Sequence, residues 1–207
     1  MGINERKEKQ KLEIRKLILD ASMKLFAEEG FSKVSIRKIA DIIEYSPTTI
    51  YLYFKDKNEI LFHLCEMGFI QMAEFNKDLY GIANPLERLH KMGENYIRFG
   101  MQYPEYYDLM FIQLAPMETL EQMKCSEWSN GDTALHGLMQ IIQECMDQGL
   151  LAKGDVKAAS MAIWGMVHGL VSLALRRRMD KLIEEEEIIP GMQKALTWFL
   201  NALNQEQ

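Results

Sequence analysis

Between Ser46 and Lys57 the chain reads SPTTIYLYFKDK, a run of hydroxyls, aromatics and cations at helical spacing. Thr48, Thr49, Tyr51 and Tyr53 alternate with Ile50, Leu52 and Phe54. On a helix, Ile50 and Phe54 stand four residues apart and can face a core while Thr48, Thr49 and Tyr51 face outward. Outward hydroxyls and aromatic edges can hydrogen-bond base edges in the major groove, and Lys55 and Lys57 are placed to meet phosphates. Taken alone, the same residues are equally consistent with first-turn helix positions and half-buried packing aromatics.

Such a helix needs a scaffold, and the preceding sequence supplies one. Ile14, Leu17, Ile18, Ala21 and Leu25 recur with helical period and Gly30 follows as a C-cap, predicting a helix over about 11–29. Ser35 reads as the N-cap of a short second helix burying Ile36, Ile39, Ala40 and Ile43. Ser46-Pro47, an N-cap with proline at the first helical position, opens a third through about Phe54. Asp56-Lys57-Asn58-Glu59 is a variant capping box for a long fourth. Two short helices joined by a three- to four-residue turn form a helix-turn-helix pattern, whose second helix enters the major groove.

Charge follows the same division. The 207 residues carry 24 Lys+Arg and 30 Asp+Glu, but residues 1–60 are net +2 and residues 61–207 net −8. A mildly basic module therefore precedes an acidic body. The three cysteines, Cys65, Cys125 and Cys145, form no C-x-x-C pair, so no disulfide framework or zinc ribbon is predicted, and a reducing cytoplasm fits. His63, His90, His136 and His168 show no ligand spacing, no metal or other cofactor is expected, and no nucleotide-binding or hydrolase motif occurs, so no catalytic residue is assigned.

The run from Phe26 to Leu61, FAEEGFSKVSIRKIADIIEYSPTTIYLYFKDKNEIL, resembles the DNA-binding domain of TetR-type transcriptional regulators. Phe26, Gly30, Phe31, Ser35, Ile39, Ala40, Ser46, Ile50, Tyr51, Tyr53, Phe54, Lys57 and Leu61 fall on that pattern. The resemblance implies an all-α protein with a three-helix helix-turn-helix domain over 1–56 and a helical ligand-binding and dimerisation bundle over 57–207. It implies DNA contact by Ser35, Arg37, Ser46, Pro47, Thr48, Thr49, Tyr51, Tyr53, Lys55 and Lys57. Glu44 departs from the pattern where a turn glycine is usual, predicting a reshaped turn with an acid near DNA, and Thr48 replaces another glycine with a hydroxyl.

In the body, Pro85, Pro104, Asp155 and Pro190 punctuate further helices. Ala158–Leu175 is uncharged over 18 residues, ends against three arginines and contains G-x-x-x-G, so it mimics a membrane anchor. A central His and small polar residues favour a packed helix, and no membrane partner is expected. Gly165, Gly169 and Ser172 make a small-residue seam, and Met192, Ala195, Leu196, Phe199, Leu200 and Leu203 an apolar stripe on the last helix. Together they predict a two-fold homodimer interface of Gly165, Gly169, Ser172, Leu196, Phe199, Leu200 and Leu203.

Trp164-x-x-x-His168-Gly169 resembles a ligand-binding subgroup of the same family. Fifteen methionines are either core filling or soft pocket walls. The pocket residues predicted are Met92, Tyr96, Phe99, Tyr106, Met110, Trp128, Met139, Met161, Trp164 and His168. His168, inside an uncharged helix, must have a hydrogen-bond partner. The expectation is a cytoplasmic regulator, more simply a repressor, released from a palindromic double-stranded operator by a small apolar or amphipathic effector. A helical adaptor without operator binding and a small all-helical enzyme are the alternatives.

Overall fold

The computed structural model describes residues 2–123 and 129–204, whose regular structure is helical apart from an isolated antiparallel bridge between Leu151 and Asn204. Cys125 and Trp128 lie outside the described residues. Ten α-helices occur among the described residues: α1 Ile3–Glu29, α2 Ile36–Ile42, α3 Pro47–Tyr51, α4 Lys57–Phe75, α5 Pro85–Gln102, α6 Pro104–Phe111, α7 Ala115–Met123, α8 Ser129–Asp147, α9 Val156–Leu175 and α10 Ile188–Leu203. They form two compact units, Met1–Gly68 with Glu105–Trp128, and Phe69–Pro104 with Ser129–Gln207. This division does not follow a cut at 56/57: α4 belongs to both units, and α6 and α7 belong to the first.

In the first unit, Ile18, Leu25 and Phe26 of α1 are buried with Ile39 and Ala40 of α2, Ile50 of α3, and Phe54. Each of the Ile, Leu and Phe side chains contributes about 1.5–3 kcal/mol by leaving water. The caps do what their sequence promises. Ser35 Oγ accepts from Lys38 N–H at 3.2 Å, and Ser46 Oγ from Thr49 N–H at 3.1 Å, with Pro47 in the first turn where no N–H is needed. At α4, Asp56 accepts from Glu59 N–H at 2.9 Å, whereas the Glu59 carboxylate reaches Lys55 N–H rather than that of Asp56. The box is thus displaced by one residue.

α1 starts at Ile3, well ahead of the predicted residue 11. Its first turns are charged and exposed, so they carry no apolar period to read. At its start the Gly2 N–H donates to the Glu5 carboxylate at 2.8 Å. α3 ends at Tyr51 rather than Phe54, and Phe54 N–H still donates to Ile50 C=O at 3.0 Å, so the chain continues as a tight turn.

The α2–α3 turn is closed by Glu44 at φ 58°. Tyr45 N–H donates to Ala40 C=O at 3.0 Å and Glu44 N–H to Asp41 C=O at 3.3 Å, the paired bonds of a Schellman helix end with glutamate in the glycine position. The reshaped turn expected from the missing glycine is therefore a full Schellman end whose left-handed residue has a side chain. Left-handed backbone costs a residue with a Cβ roughly 1–2 kcal/mol, part of which glycine gives back through its freer unfolded chain. Glu44→Gly is expected to raise stability by about 1 kcal/mol, seen as a higher denaturation midpoint with an unchanged denaturant slope. An unchanged or lower midpoint would show that the Glu44 side chain stabilises the turn by a contact of its own.

In the second unit α5 is central and packs against α8, α9 and α10. Asn84 caps it, accepting from Leu86 N–H at 2.8 Å, and Asp155 caps α9 in the same way through Lys157 N–H at 2.8 Å. A Cβ on Gly93 would stand 2.7 Å from a Leu196 methyl, so the glycine lets α10 approach α5 closely. α10 begins at Ile188, two residues before Pro190, which sits in the first turn.

Candidate nucleic-acid interface and helical body

α3 stands out of its unit on a buried foot. Ile50 and Phe54 are 0 % and 1 % exposed, whereas Thr48 is exposed and Tyr51 is 56 % exposed. Pro47, Thr49 and Tyr53 are half-buried, and Thr49 Oγ1 lies 2.9 Å from Ser46 Oγ, which ties its hydroxyl to the cap. Ser35, Arg37, Ser46 and Lys55 are exposed. The inward and outward faces of α3 thus follow the four-residue spacing of Ile50 and Phe54.

Lys57 departs from its predicted place. Its ammonium donates to the carbonyls of Phe31 at 2.6 Å and Val34 at 2.9 Å and lies 4.2 Å from the Phe31 ring centroid. Burial pulls its pKa below the usual lysine value. In this structure Lys57 anchors the turn ahead of α2 to the start of α4 and is not presented to an external phosphate. Lys38 is likewise engaged, 2.5 Å from Glu29. Exposed Tyr45 at 40 %, Ile42 at 52 % and Leu52 at 76 % flank the reading helix and were not singled out from the sequence. Tyr45 follows the Schellman residue, so only the turn geometry reveals that it is presented outward.

The predicted pocket residues divide between the units. In the first, Met110 is buried, Tyr106 is half-buried, and both stand against Gly68: a Cβ there would lie 2.2 Å from Met110 Sδ and 2.9 Å from Tyr106 Cδ1. In the second, Phe99 is fully buried in an aromatic cluster, 6.2 Å from Phe75 and 5.9 Å from Tyr103 between ring centroids. Met92 and Met139 are half-buried, and Met161 is 66 % exposed on the outer face of α9. Phe99 and Met110 are therefore core, and Met161 is surface of the protomer. Trp128 lies outside the described residues.

Tyr96, Trp164 and His168 do come together. Trp164 Nε1–H donates to Tyr96 Oη at 3.2 Å, and Tyr96 Oη lies 3.1 Å from His168 Nδ1. A neutral imidazole with Nδ1 unprotonated can accept the phenol proton in this arrangement. Burial lowers the His168 pKa and favours that neutral form. The partner expected for a histidine in this helix is thus the Tyr96 hydroxyl.

α9 buries Ser160, Ile163, Val167, Val171 and Ala174 and leaves Ala158, Met161, Ala162, Gly165 and Leu173 exposed. A Cβ on Gly165 or Gly169 would meet nothing within 4 Å, so the small-residue seam faces away from its own chain, with Ser172 half-buried. α10 corrects the predicted interface. Leu196 and Leu200 are 1 % and 2 % exposed and belong to the core beside α5, and Phe199 and Leu203 are half-buried. The outward large apolar side chains of α10 are Ile189, 41 % exposed, and Trp198, 74 % exposed beside a shallow groove lined by Pro190, Gln193, Lys194 and Asn201. Of the described cysteines, Cys65 and Cys145 are buried free thiols, and burial raises both pKa values, that of Cys145 to about 11.

Comparison with known proteins places this geometry. Residues 18–64 match the family model described as bacterial regulatory proteins, tetR family, and residues 89–189 match a tetracyclin repressor-like C-terminal domain. The HTH-type transcriptional regulator YerO of Bacillus subtilis is 32% identical over 110 residues, 51% of this chain and 33% of that protein. The fatty acid metabolism regulator protein of Bacillus subtilis is 29% identical over 159 residues, covering 75% of this chain and 80% of that protein. The chain spans about a third to a half of the length of the first three curated relatives it matches, 33%, 34% and 51%. A solved TetR-family transcriptional regulator from Syntrophomonas wolfei has the same fold, with a TM-score of 0.72 and 21% identity over 95% of this chain and 100% of that one. The two family matches, on the reading unit and on the body, show that the chain belongs to the TetR family of bacterial regulatory proteins.

Proposed function

We propose that the chain is a cytoplasmic homodimeric transcriptional repressor that leaves a palindromic operator when a small apolar or amphipathic effector binds its body. The observation that carries this is α3, with Thr48 and Tyr51 presented outward from a buried Ile50–Phe54 foot. Reading side chains on a rigid, capped helix suit base contact, while exposed Arg37 and Lys55 suit phosphates. The Tyr96–Trp164–His168 group supplies convergent polar groups on α5 and α9 of the kind that orient a small molecule. The similarity to a fatty acid metabolism regulator favours an amphipathic acyl ligand.

Release follows from a population shift. α4 runs through both units, so an effector that favours one setting of its second half changes how far apart the two recognition helices of a dimer stand. Only a difference in effector affinity between the two settings can do this. Selection of bound sequences from a random duplex pool should yield an inverted repeat occupied by two protomers, and acyl ligands should lower its occupancy. A pool without enrichment would overturn the operator reading in favour of an adaptor.

A further inference from the structure

The first turns of α1 carry a line of cations where the rest of the helix carries its core. On a wheel of about 100° per residue, Lys7, Lys11 and Arg15 fall within about 80° of one another and on the line of Ile18, Ser22 and Leu25. Those three are buried, whereas Lys7 and Lys11 are exposed and Arg15 is half-buried. The stripe therefore changes from apolar to basic where the helix runs past the buried core of its unit. Arg15 sits at the junction, its guanidinium 5.0 Å from the ring centroid of Phe54, the foot of the reading helix.

The other charges of α1 are arranged differently. Lys9 pairs with Glu13 at 3.8 Å and Lys16 with Asp20 at 3.5 Å, all on the opposite line of the helix. Glu5 is held by Gly2 N–H, and Glu8 borders the basic line. Among the described residues, neither Lys7 nor Lys11 has a carboxylate partner. Within the helix, Glu8 three residues before Lys11 is the one favourable charge spacing for this line. Like charges four residues apart repel, and cations in the first turns oppose the helix dipole.

We propose that Lys7, Lys11 and Arg15 form a second DNA contact, a helical rail for backbone phosphates. The rail is about 12 Å long from Lys7 to Arg15, at 1.5 Å per residue, and a duplex offers one charge per ~1.7 Å of its axis, so several phosphates can meet it. It carries no base-reading group and acts on affinity without acting on sequence choice.

This inference rests on the operator reading above, and its test separates the two. Affinity of Lys7→Gln/Lys11→Gln for the selected operator and for an unrelated duplex is measured across a salt series. Lys9→Gln/Lys16→Gln, on the paired line, is the charge-matched control, and all proteins are checked for unchanged melting. The expected result is at least tenfold weaker binding of both duplexes near 0.1 M salt. The log-log salt slope should be shallower by about two to four, since a dimer loses four lysines at ~0.9 each. The control should keep the original slope. An unchanged slope in the Lys7/Lys11 variant, with the original protein binding its operator normally, would overturn the rail alone, as would an equal loss in the control. If the original protein binds no duplex, both readings fall.

Discussion

Gly165→Leu is expected to yield a folded protomer that no longer pairs. Within the protomer a side chain at this position enters open space, and replacing a helix-interior glycine gains helix propensity, up to about 1 kcal/mol. At a close crossing with a partner's α9, the same leucine overpacks at ~1–3 kcal/mol, and a two-fold axis applies the penalty twice. The opposed signs make the result diagnostic: protomer melting holds or rises while dimer association weakens by ~2–6 kcal/mol, from about thirtyfold to more than 10⁴-fold. Sedimentation across a dilution series reads the loss, and operator affinity should fall with it because each half-site is then bound alone. A dimer of unchanged strength would place the interface elsewhere.

Leu196→Ala has the largest expected effect on the protomer itself. The side chain is 1 % exposed and its methyls fill the space above Gly93, so truncation leaves a cavity and costs about 3–5 kcal/mol. That is a large share of a typical folding free energy of ~5–15 kcal/mol. The melting shift should not depend on protein concentration. Gly93→Ala alone forces Leu196 outward and destabilises, but combined with Leu196→Ala the added methyl partly refills the gap, so the pair should be less costly than the sum of its parts. Should Leu196→Ala instead weaken only the dimer and spare the protomer, the residue lies at the interface that its sequence position suggested.

That contrast shows what the sequence could reveal. Ser35, Ser46 and Asp155 were legible as helix starts because capping is a local transaction between a short side chain and the N–H groups two or three residues on. Ile50 of α3 and Phe54 of the turn after it were legible as inward because they stand four residues apart among hydroxyls and exposed aromatics. On α10 the apolar stripe was read correctly, but periodicity does not say whether a stripe meets its own chain or another's. The better signal for an outer face was Trp198, a large apolar residue lying off the stripe. Lys57 was misplaced for a different reason: a lysine stem spans several ångströms, so its ammonium found carbonyls more than 20 positions back in the chain. His168 was half-solved, since the need for a partner follows from its apolar neighbours while Tyr96, on another helix, does not.

α9 also bears on the life of the protein before it reaches DNA. Its 20 residues have a mean hydropathy of 1.6 in their most apolar stretch, and the described protomer buries only 28% of that stretch. On the pairing proposed for α9, a newly made subunit therefore exposes this apolar face until it meets a second copy. Pairing is second order in subunit concentration, whereas loss of an unpaired subunit is first order. Under the proposed dimer, the paired pool would therefore rise more steeply than the rate of synthesis.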